Sequence, residues 1–273
     1  MNNFAEKYIR KSALPTIFCP GCGHGTVLNA FLRAVDDLDI FDSLGLVSGI
    51  GCSSWTPVFI NTDVMHTIHG RAPAFATGLK IANPDLNVVV FSGDGDCLGI
   101  GGNHLIHAAR RNIDMTILML DNEIYGMTGG QVSPMSPKGS NSQTTPYGNP
   151  EHHFDACALV IAAGATHVAR YTTARPRTLI KGIKAAIEHK GLSFLHIISQ
   201  CPTQTGRYIY GLTQPAEYLQ MIQQKSITLN AAKKLSDDEL QGKIVTGILH
   251  QSDDKPEFVE ELNRIKMENS HEC

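Results

Sequence analysis

The chain has 273 residues, of which 42% are hydrophobic and only 18% charged, a composition that allows a sizeable core and argues against disorder. Lys and Arg number 23 against 26 Asp and Glu, so the formal net charge of -3 argues against a basic nucleic-acid-binding surface. The seven Cys, an odd number, make a poor disulfide framework. No apolar stretch resembles a secretory signal or reaches the ~20 residues of a membrane span. We therefore expect a cytoplasmic protein with reduced thiols and with neither membrane nor nucleic-acid partners.

Apolar residues follow helical and strand spacing in alternation. In chain order they predict a helix over 26–35, strands over 44–48 and 63–68, a helix over 73–81, a strand over 87–92, a helix over 102–111, a strand over 115–120, an irregular stretch over 126–150, a helix over 154–163, a strand over 166–169, a helix over 176–188 and a strand over 193–199. Several of these strands are apolar on both faces, as parallel strands covered by helices are. The alternation predicts an α/β fold, a mainly parallel sheet with helices on both faces.

Composition predicts two regions along the chain. Residues 1–205 contain the alternating elements and every motif described below, and they predict one cofactor-binding domain. Residues 206–273 are richer in Gln, Lys, Asp and Glu, and they predict a helical extension or tail that packs on this domain or on a partner subunit. The irregular stretch over 126–150 exceeds the length of about 15 residues beyond which loops are usually functional or mobile.

Four cysteines have positions typical of ligands. Cys19 and Cys22 form a C-x2-C pair on a tight turn, which suits a metal site or a redox dithiol. Cys52 and Cys201 each follow a predicted buried strand, where α/β sheets collect their sites. Four thiolates suit either zinc or a [4Fe-4S] cluster, and one close pair with two distant cysteines favours the cluster. The remaining three are expected to be packing residues or to have no role: Cys97, Cys157 and Cys273.

A second pattern joins the ends of two neighbouring strands. Gly93-Asp94-Gly95 follows one predicted strand, and Asn122 follows the next. Glycine lets a backbone approach a diphosphate closely, and Mg²⁺ takes carboxylate, amide and phosphate oxygens as ligands. These residues therefore predict a magnesium–diphosphate site, with a backbone carbonyl near Ile124 as a further ligand. A plain turn is one alternative, and a dinucleotide-binding loop at 99–102 is another, although that loop lacks a suitably placed acidic residue.

The motifs together resemble a known family. The G-D-G…N pattern is similar to that of thiamine diphosphate enzymes, and the whole set resembles the β subunit of 2-oxoacid:ferredoxin oxidoreductases. The matching stretches are Cys19-Pro-Gly-Cys-Gly-His24, Gly51-Cys52-Ser53, His69-Gly-Arg-Ala-Pro73, Gly93-Asp-Gly-Asp96, Asn122-Glu-Ile-Tyr-Gly-Met-Thr-Gly-Gly-Gln131 and Cys201-Pro-Thr203. This resemblance implies a thiamine diphosphate-binding fold, with both cofactor sites in residues 1–205.

The resemblance also implies a role for each matching residue. One [4Fe-4S] cluster would be held by Cys19, Cys22, Cys52 and Cys201. Mg²⁺ would be held by Asp94, by the side chain of Asn122 and by the backbone carbonyl of Ile124. Thiamine diphosphate would be lined by Ile50, Gly51, Cys52, Ser53, His69, Gly95, Asp96, Gly126 and Met127. No catalytic residue is assigned in this chain, because the Glu that activates the aminopyrimidine ring is expected in a partner subunit.

The activity implied by the resemblance is the coenzyme A-dependent oxidative decarboxylation of a 2-oxoacid, with electrons passing through the cluster to ferredoxin. The segment 124–131 favours 2-oxoglutarate, which would give succinyl-CoA. Pyruvate or a branched-chain 2-oxoacid is the alternative substrate, and a non-catalytic iron–sulfur electron-transfer subunit is the alternative function. A single G-D-G…N half-site predicts a separate α subunit with the pyrimidine-binding domain, and the resemblance leaves room for further small subunits.

Overall fold

A computed structural model describes residues 3–269. Ten strands are present in this part of the chain: β1 (Leu44–Ser48), β2 (Val64–His66), β3 (Asn87–Gly93), β4 (Met115–Asp121), β5 (Ile124–Tyr125), β6 (Gln131–Val132), β7 (His167–Thr172), β8 (Leu192–Ile198), β9 (Ser226–Thr228) and β10 (Ile244–Gln251). Eight of them form one sheet in the order β2-β1-β3-β4-β8-β7-β10-β9. The neighbours from β2 to β7 all run parallel, whereas β10 is antiparallel to β7. This sheet confirms the predicted α/β class.

Helices cover both faces of the sheet. They are α1 (Asn3–Tyr8), α2 (Gly23–Leu38), α3 (Ala72–Ala82), α4 (Gly102–Arg111), α5 (Ala156–Ala162), α6 (Pro176–Glu188), α7 (Pro215–Lys225), α8 (Leu229–Ala232), α9 (Asp237–Leu240) and α10 (Phe258–Asn269). Helices α2 and α6 pack on one face, and α3, α4 and α5 pack on the other. Every residue of β4 is buried between these layers, which explains why its sequence is apolar on both sides. Within residues 3–269, no helix is both long and apolar enough to cross a membrane.

Most predicted elements are present, with shifted ends. The helices predicted over 102–111 and 176–188 have the predicted bounds, while the helix predicted over 154–163 begins only at Ala156. Asp155 causes this later start, because its side chain accepts hydrogen bonds from the backbone N–H groups of Cys157 and Ala158 and so caps the helix. The loop predicted over 126–150 contains one short strand, β6, which pairs with β5.

The C-terminal region differs from its prediction. The sequence predicts a helical extension or a tail after residue 205; α7 to α10 are there, but β9 and β10 are strands. Strand β10 joins the main sheet, where Gly247 pairs with Arg170 and Gln251 with His167. The sequence of β10 lacks the strong apolar run that marks the central strands, because its residues are only half buried. The division of the chain at residue 205 stays a prediction.

Candidate functional site

The candidate site lies at one edge of the sheet, where the parallel strands β1, β3, β4 and β8 end. The segment 49–53 follows β1, Asp94 follows β3, Asn122 follows β4 and Cys201 comes shortly after β8. π-helical turns begin directly after Asp94 and Cys201, and such turns are frequent at functional sites. The sheet topology therefore gathers motifs that lie far apart in the sequence.

The three groups predicted to bind Mg²⁺ converge on one point. The side-chain oxygen of Asn122 lies 3.1 Å from Asp94 Oδ1 and 2.6 Å from the carbonyl oxygen of Ile124, a set of three oxygens that suits a hard cation. With no cation between them, the amide would turn over and donate from its nitrogen to both of these oxygens. Asp94 is only 2% exposed. Burial, together with the negative charge of Asp121, raises the pKa of Asp94 well above its ordinary value, so this carboxyl group lacks a compensating positive charge.

The turn after Asp94 is held tightly by an aromatic ring. A Cβ atom at Gly95 would lie 2.2 Å from Cε1 of Tyr125, so a larger residue does not fit there. The Tyr125 hydroxyl group donates a hydrogen bond to the carbonyl oxygen of Gly95 at 3.0 Å. This contact fixes the Gly-Asp-Gly turn against the segment that follows Asn122.

Asp96 joins three parts of the site. Its Oδ1 accepts hydrogen bonds from the backbone N–H of Ile50 at 3.1 Å, from His69 Nδ1 at 2.6 Å and from the backbone N–H of Gly70 at 2.8 Å. Its Oδ2 accepts a short hydrogen bond from the Ser92 hydroxyl group. Both carboxylate oxygens are therefore occupied within the protein. Asp96 was expected to line the cofactor, and the structure shows in addition that it holds His69 and the loop after β1 in place.

These groups surround a cleft of about 490 Å³, a volume that includes space open to solvent, and we call it the thiamine cavity after the cofactor that the sequence resemblance implies. All nine residues predicted to line the thiamine diphosphate and all three predicted to bind Mg²⁺ lie in its wall. Sequence reasoning assigned no role to three other residues of the wall, although they belong to the matching motifs: His24, Tyr125 and Thr128.

The four cysteines predicted as ligands line a second cleft, which we call the thiol cavity, of about 470 Å³ including space open to solvent. Cys19 is exposed, Cys201 is buried, and all four thiols are free. Burial and the neighbouring thiols raise the pKa of Cys22 to about 12 and that of Cys52 to about 11. These thiols stay protonated at neutral pH unless a bound positive centre replaces their protons.

The turn that carries Cys19 and Cys22 depends on a glycine. Gly21 has a φ of +76°, and a Cβ atom there would lie 2.3 Å from Cβ of Pro215. The backbone N–H of Cys22 donates to the carbonyl oxygen of Cys19 at 2.9 Å, which closes the turn. Helix α2 begins at the next residue, so the positive end of its dipole lies beside the thiols and favours negative charge there.

The arrangement of the thiols bears on the choice between zinc and a cluster. A single zinc ion holds its sulfur ligands at about 2.3 Å, which brings them close together. Among residues 3–269, no three or more His, Cys, Asp or Glu side chains are grouped so as to hold one metal ion. A [4Fe-4S] cluster takes one thiolate at each iron, so its ligands stand farther apart.

The two cavities share one wall. Both are lined by Cys52, Asn122, Gly126 and Met127. At Gly126 a Cβ atom would lie 3.6 Å from Cys52 Sγ and 3.9 Å from Cys201 Sγ, so the bare backbone of this residue faces two of the four sulfurs. A group bound in one cavity is therefore separated from a group in the other by a single layer of residues.

A buried ionisable network behind Asn122 was not found from the sequence. His196 Nε2 lies 2.7 Å from Asp121 Oδ2, and both side chains are almost fully buried. Burial alone would lower the pKa of His196, but the hydrogen bond with Asp121 raises it to about 9. Burial raises the pKa of Glu123 to about 7, and the Tyr210 hydroxyl group donates to this carboxylate at 2.7 Å. The position of Asp121 and Glu123 on either side of Asn122 is the one sequence feature that points to this network.

The remaining cysteines lie apart from both cavities. Cys97 is 0% exposed and Cys157 is 2% exposed, and both pack in the core on the face covered by α3, α4 and α5, as expected. Cys273 lies outside the described residues.

Comparison with known proteins gives a consistent result. Residues 49–197 match the model of the thiamine pyrophosphate enzyme, C-terminal TPP binding domain. The chain is 53% identical over 262 residues to 2-oxoglutarate synthase subunit KorB of Methanocaldococcus jannaschii. The aligned residues cover 96% of each chain. It is 44% identical over 260 residues to the subunit of the same name from Archaeoglobus fulgidus, which covers 95% of this chain and 93% of that relative.

A solved structure is similar over nearly the whole chain. It is 2-oxoglutarate:ferredoxin oxidoreductase from Magnetococcus marinus, with 2-oxoglutarate, coenzyme A and succinyl-CoA bound. The two chains superpose with a TM-score of 0.86 at 37% sequence identity, over 97% of this chain and 90% of that one.

Proposed function

Because this chain belongs to the family of 2-oxoacid:ferredoxin oxidoreductase β subunits, we propose that it contributes the thiamine diphosphate site and one [4Fe-4S] cluster to such an enzyme. The reaction is the coenzyme A-dependent oxidative decarboxylation of 2-oxoglutarate to succinyl-CoA, with ferredoxin as electron acceptor. The relatives named 2-oxoglutarate synthase subunit KorB and the solved 2-oxoglutarate enzyme support this substrate.

The wall shared by the two cavities is the observation that carries the proposal. Thiamine diphosphate, when bound, supplies a carbon centre that accepts and releases the electron pair of the decarboxylated substrate. The thiol cavity lies beyond Cys52 and Gly126, so electrons have only one layer of residues to cross. A chain with one of the two cavities alone would have no such path.

The residues of the thiamine cavity fit a magnesium-bound diphosphate. Asp94, Asn122 and the Ile124 carbonyl would hold Mg²⁺, since their oxygens converge and Asp94 lacks a counter-charge. Gly95 lies in the wall of this cavity, and its lack of a side chain leaves room for the Tyr125 ring that packs on the turn. Asp96 orients the imidazole of His69 toward its place in the cavity wall by the hydrogen bond at Nδ1.

The residues of the thiol cavity fit a [4Fe-4S] cluster. Cys19, Cys22, Cys52 and Cys201 would hold it, and the cluster would take up single electrons. The positive charge of the irons would replace the protons of the buried thiols and so would remove the cost of burying thiolates. Zinc on the same thiolates is the alternative, and it is distinguished from the cluster by the iron and sulfide content of the complex.

The thiamine cavity also indicates what a partner subunit must supply. Within the described residues, its wall contains no Glu, Lys or Arg. Glu123 follows Asn122 in the chain, but its carboxylate accepts a hydrogen bond from Tyr210 outside this cavity. We infer that the Glu that activates the aminopyrimidine ring is supplied by an α subunit.

The test is a substrate panel on the anaerobically co-purified complex, together with assays of iron, sulfide and thiamine diphosphate. We expect coenzyme A-dependent viologen reduction that is fastest with 2-oxoglutarate. Faster turnover of pyruvate or a branched-chain 2-oxoacid would reverse the substrate assignment. A complex with iron and sulfide but without thiamine diphosphate would favour the electron-transfer subunit, and turnover by the isolated chain would contradict the need for a partner.

A further inference from the structure

One hydrogen bond beside the thiol cavity involves a residue that has no role in the proposed function. His24 Nδ1 lies 3.4 Å from Cys22 Sγ and 3.2 Å from the hydroxyl oxygen of Ser199. The side chain is buried, with 1% exposure, and it also lines the thiamine cavity. His24 therefore lies in the wall of the thiamine cavity, while its Nδ1 faces Cys22, one of the four cysteines of the thiol cavity.

The chemistry of the sulfur decides the direction of this contact. A thiolate bound to iron has no proton to donate, so it can only accept a hydrogen bond from an Nδ1 that carries hydrogen. The Ser199 oxygen can accept from the same N–H, so both contacts are satisfied when Nδ1 is the protonated nitrogen. Cluster binding at Cys22 thus selects the Nδ1–H form of the ring.

We propose that His24 is a positioning residue that donates its Nδ1–H to the sulfur of Cys22 and thereby raises the reduction potential of the cluster. The inference rests on the proposed function, because it needs a [4Fe-4S] cluster at the four cysteines. Reduction adds negative charge that spreads onto the sulfur atoms, and hydrogen bonds to these sulfurs stabilise the reduced state. The effect is strong at a buried site, where the effective dielectric constant is low and water does not replace the donor.

A second hydroxyl group offers a matched control. The Thr203 Oγ1 atom lies 3.6 Å from Cys19 Sγ and 3.6 Å from Cys201 Sγ, so it is also placed to donate to the sulfurs. Thr203 is exposed, however, and water can take over its hydrogen bond. The loss of this donor is therefore expected to matter less than the loss of His24.

The test measures the midpoint potential of the cluster in the co-purified complex, by redox titration followed by electron paramagnetic resonance. In His24→Leu, which keeps the volume but has no donor, we expect the one-electron equilibrium to shift about tenfold toward the oxidised cluster, which is 59 mV. In His24→Asn, whose amide can donate from near the place of Nδ1, we expect most of the potential to be restored. Thr203→Val is expected to shift the equilibrium less than His24→Leu.

Each outcome is decisive. A wild-type complex without iron and sulfide contradicts the proposed function itself. A loaded wild type whose potential does not change in His24→Leu overturns only the role of His24. If His24→Leu loses its cluster, Ser199→Ala provides the test instead. This variant removes the competing acceptor, so the Nδ1–H of His24 donates to Cys22 alone. A higher cluster potential in Ser199→Ala supports the role of His24, and an equal or lower potential overturns it.

Discussion

His69 Nδ1 donates a hydrogen bond of 2.6 Å to the carboxylate of Asp96, and the same oxygen also accepts from two backbone N–H groups. One buried side chain thus positions an imidazole and a loop of the cofactor cavity. Around metal sites, residues that orient the metal's ligands by hydrogen bonds typically contribute 10–100-fold to affinity or activity, which is about 1–3 kcal/mol. We expect Asp96 to have an effect of this size on the cofactor cavity.

Asp96→Asn is expected to weaken thiamine diphosphate binding by about 10–100-fold. The amide has one accepting oxygen instead of two, so it cannot satisfy Ile50, His69, Gly70 and Ser92 together. Calorimetric titration of the cofactor-free complex measures this change. Asp85→Asn, at an exposed position, is the control and should bind as the wild type does. Unchanged affinity in Asp96→Asn would show that the carboxylate is not needed for positioning.

Asp94→Asn is expected to have opposite effects on the cofactor-free and the cofactor-bound protein. Burial raises the pKa of Asp94, so the carboxylate costs stability at neutral pH until a cation compensates it, and this cost grows as the pH rises above the ordinary Asp value. The neutral amide removes that cost, so the melting temperature of the cofactor-free form should rise. The further rise on addition of Mg²⁺ and thiamine diphosphate should be lost. A variant that melts lower without cofactor and still gains stability with it would contradict both parts.

Gly126→Ala is expected to leave the fold intact and to lower cluster content. The new methyl group would face Cys52 Sγ and Cys201 Sγ at 3.6 and 3.9 Å, in the space between the two cavities. Unfolding free energy should change by less than about 0.5–1 kcal/mol, since no buried contact is removed. Iron and sulfide assays on the purified complex measure the loss. Gly25→Ala, where a Cβ atom meets nothing within 4 Å, is the control.

His167→Leu is expected to reduce the loss of stability in acid. Burial and the nearby His189 and His250 lower the pKa of His167 to about 4, and both of its ring nitrogens lack a hydrogen-bond partner among the described residues. The unfolded chain binds this proton near pH 6.5, so stability falls as the pH drops from about 6.5 toward 4, by roughly 1–3 kcal/mol. Melting temperatures measured from about pH 5 to about pH 7.5, on both sides of the His pKa of about 6.5 in the unfolded chain, give the slope of stability against pH.

The control for His167 is the exposed His152. His152→Gln should retain the slope of the wild type, because its imidazole is in contact with solvent in both states. If His167→Leu and the wild type lose stability equally between these pH values, the buried imidazole is not the source of the acid sensitivity.

Phe31→Ala is expected to destabilise the protein by about 3–5 kcal/mol, as large-to-small substitutions of buried aromatic residues do. Phe31 of α2 meets Phe91 of β3 edge to face, with ring centroids 5.0 Å apart, and both rings are 0% exposed. Urea unfolding of the cofactor-free protein measures the effect. Phe75→Ala, at a residue that is 45% exposed, is the matched control. An equal loss of unfolding free energy in Phe75→Ala would show that the burial of Phe31 does not account for its effect.

The sequence was most informative about the polar residues and cysteines that directly follow strands. Asp94 and Asn122 were predicted to meet because parallel neighbouring strands end at the same edge of a sheet, and the structure places their side chains in contact. The gathering of Cys52 and Cys201 around one cavity follows from the same rule. Local pattern and fold class are enough for both predictions.

The parts that sequence reasoning missed depend on tertiary contacts. Strand β10 was not predicted, because half-buried residues at the side of a sheet have no clear apolar period and take their conformation from pairing with β7. The hydrogen bonds of Asp96 and His24 were not predicted either. The direction of a side chain is set by the packing around it, and residue type and spacing do not report it.

The wall between the two cavities makes the cavities difficult to change independently in evolution or in engineering. A substitution at Cys52, Asn122, Gly126 or Met127 alters the surroundings of both. Altered substrate preference without altered electron transfer is therefore expected to come from positions that line the thiamine cavity alone. In this chain those positions include Ile50, His69 and Thr128, which makes them the first choice for a designed library.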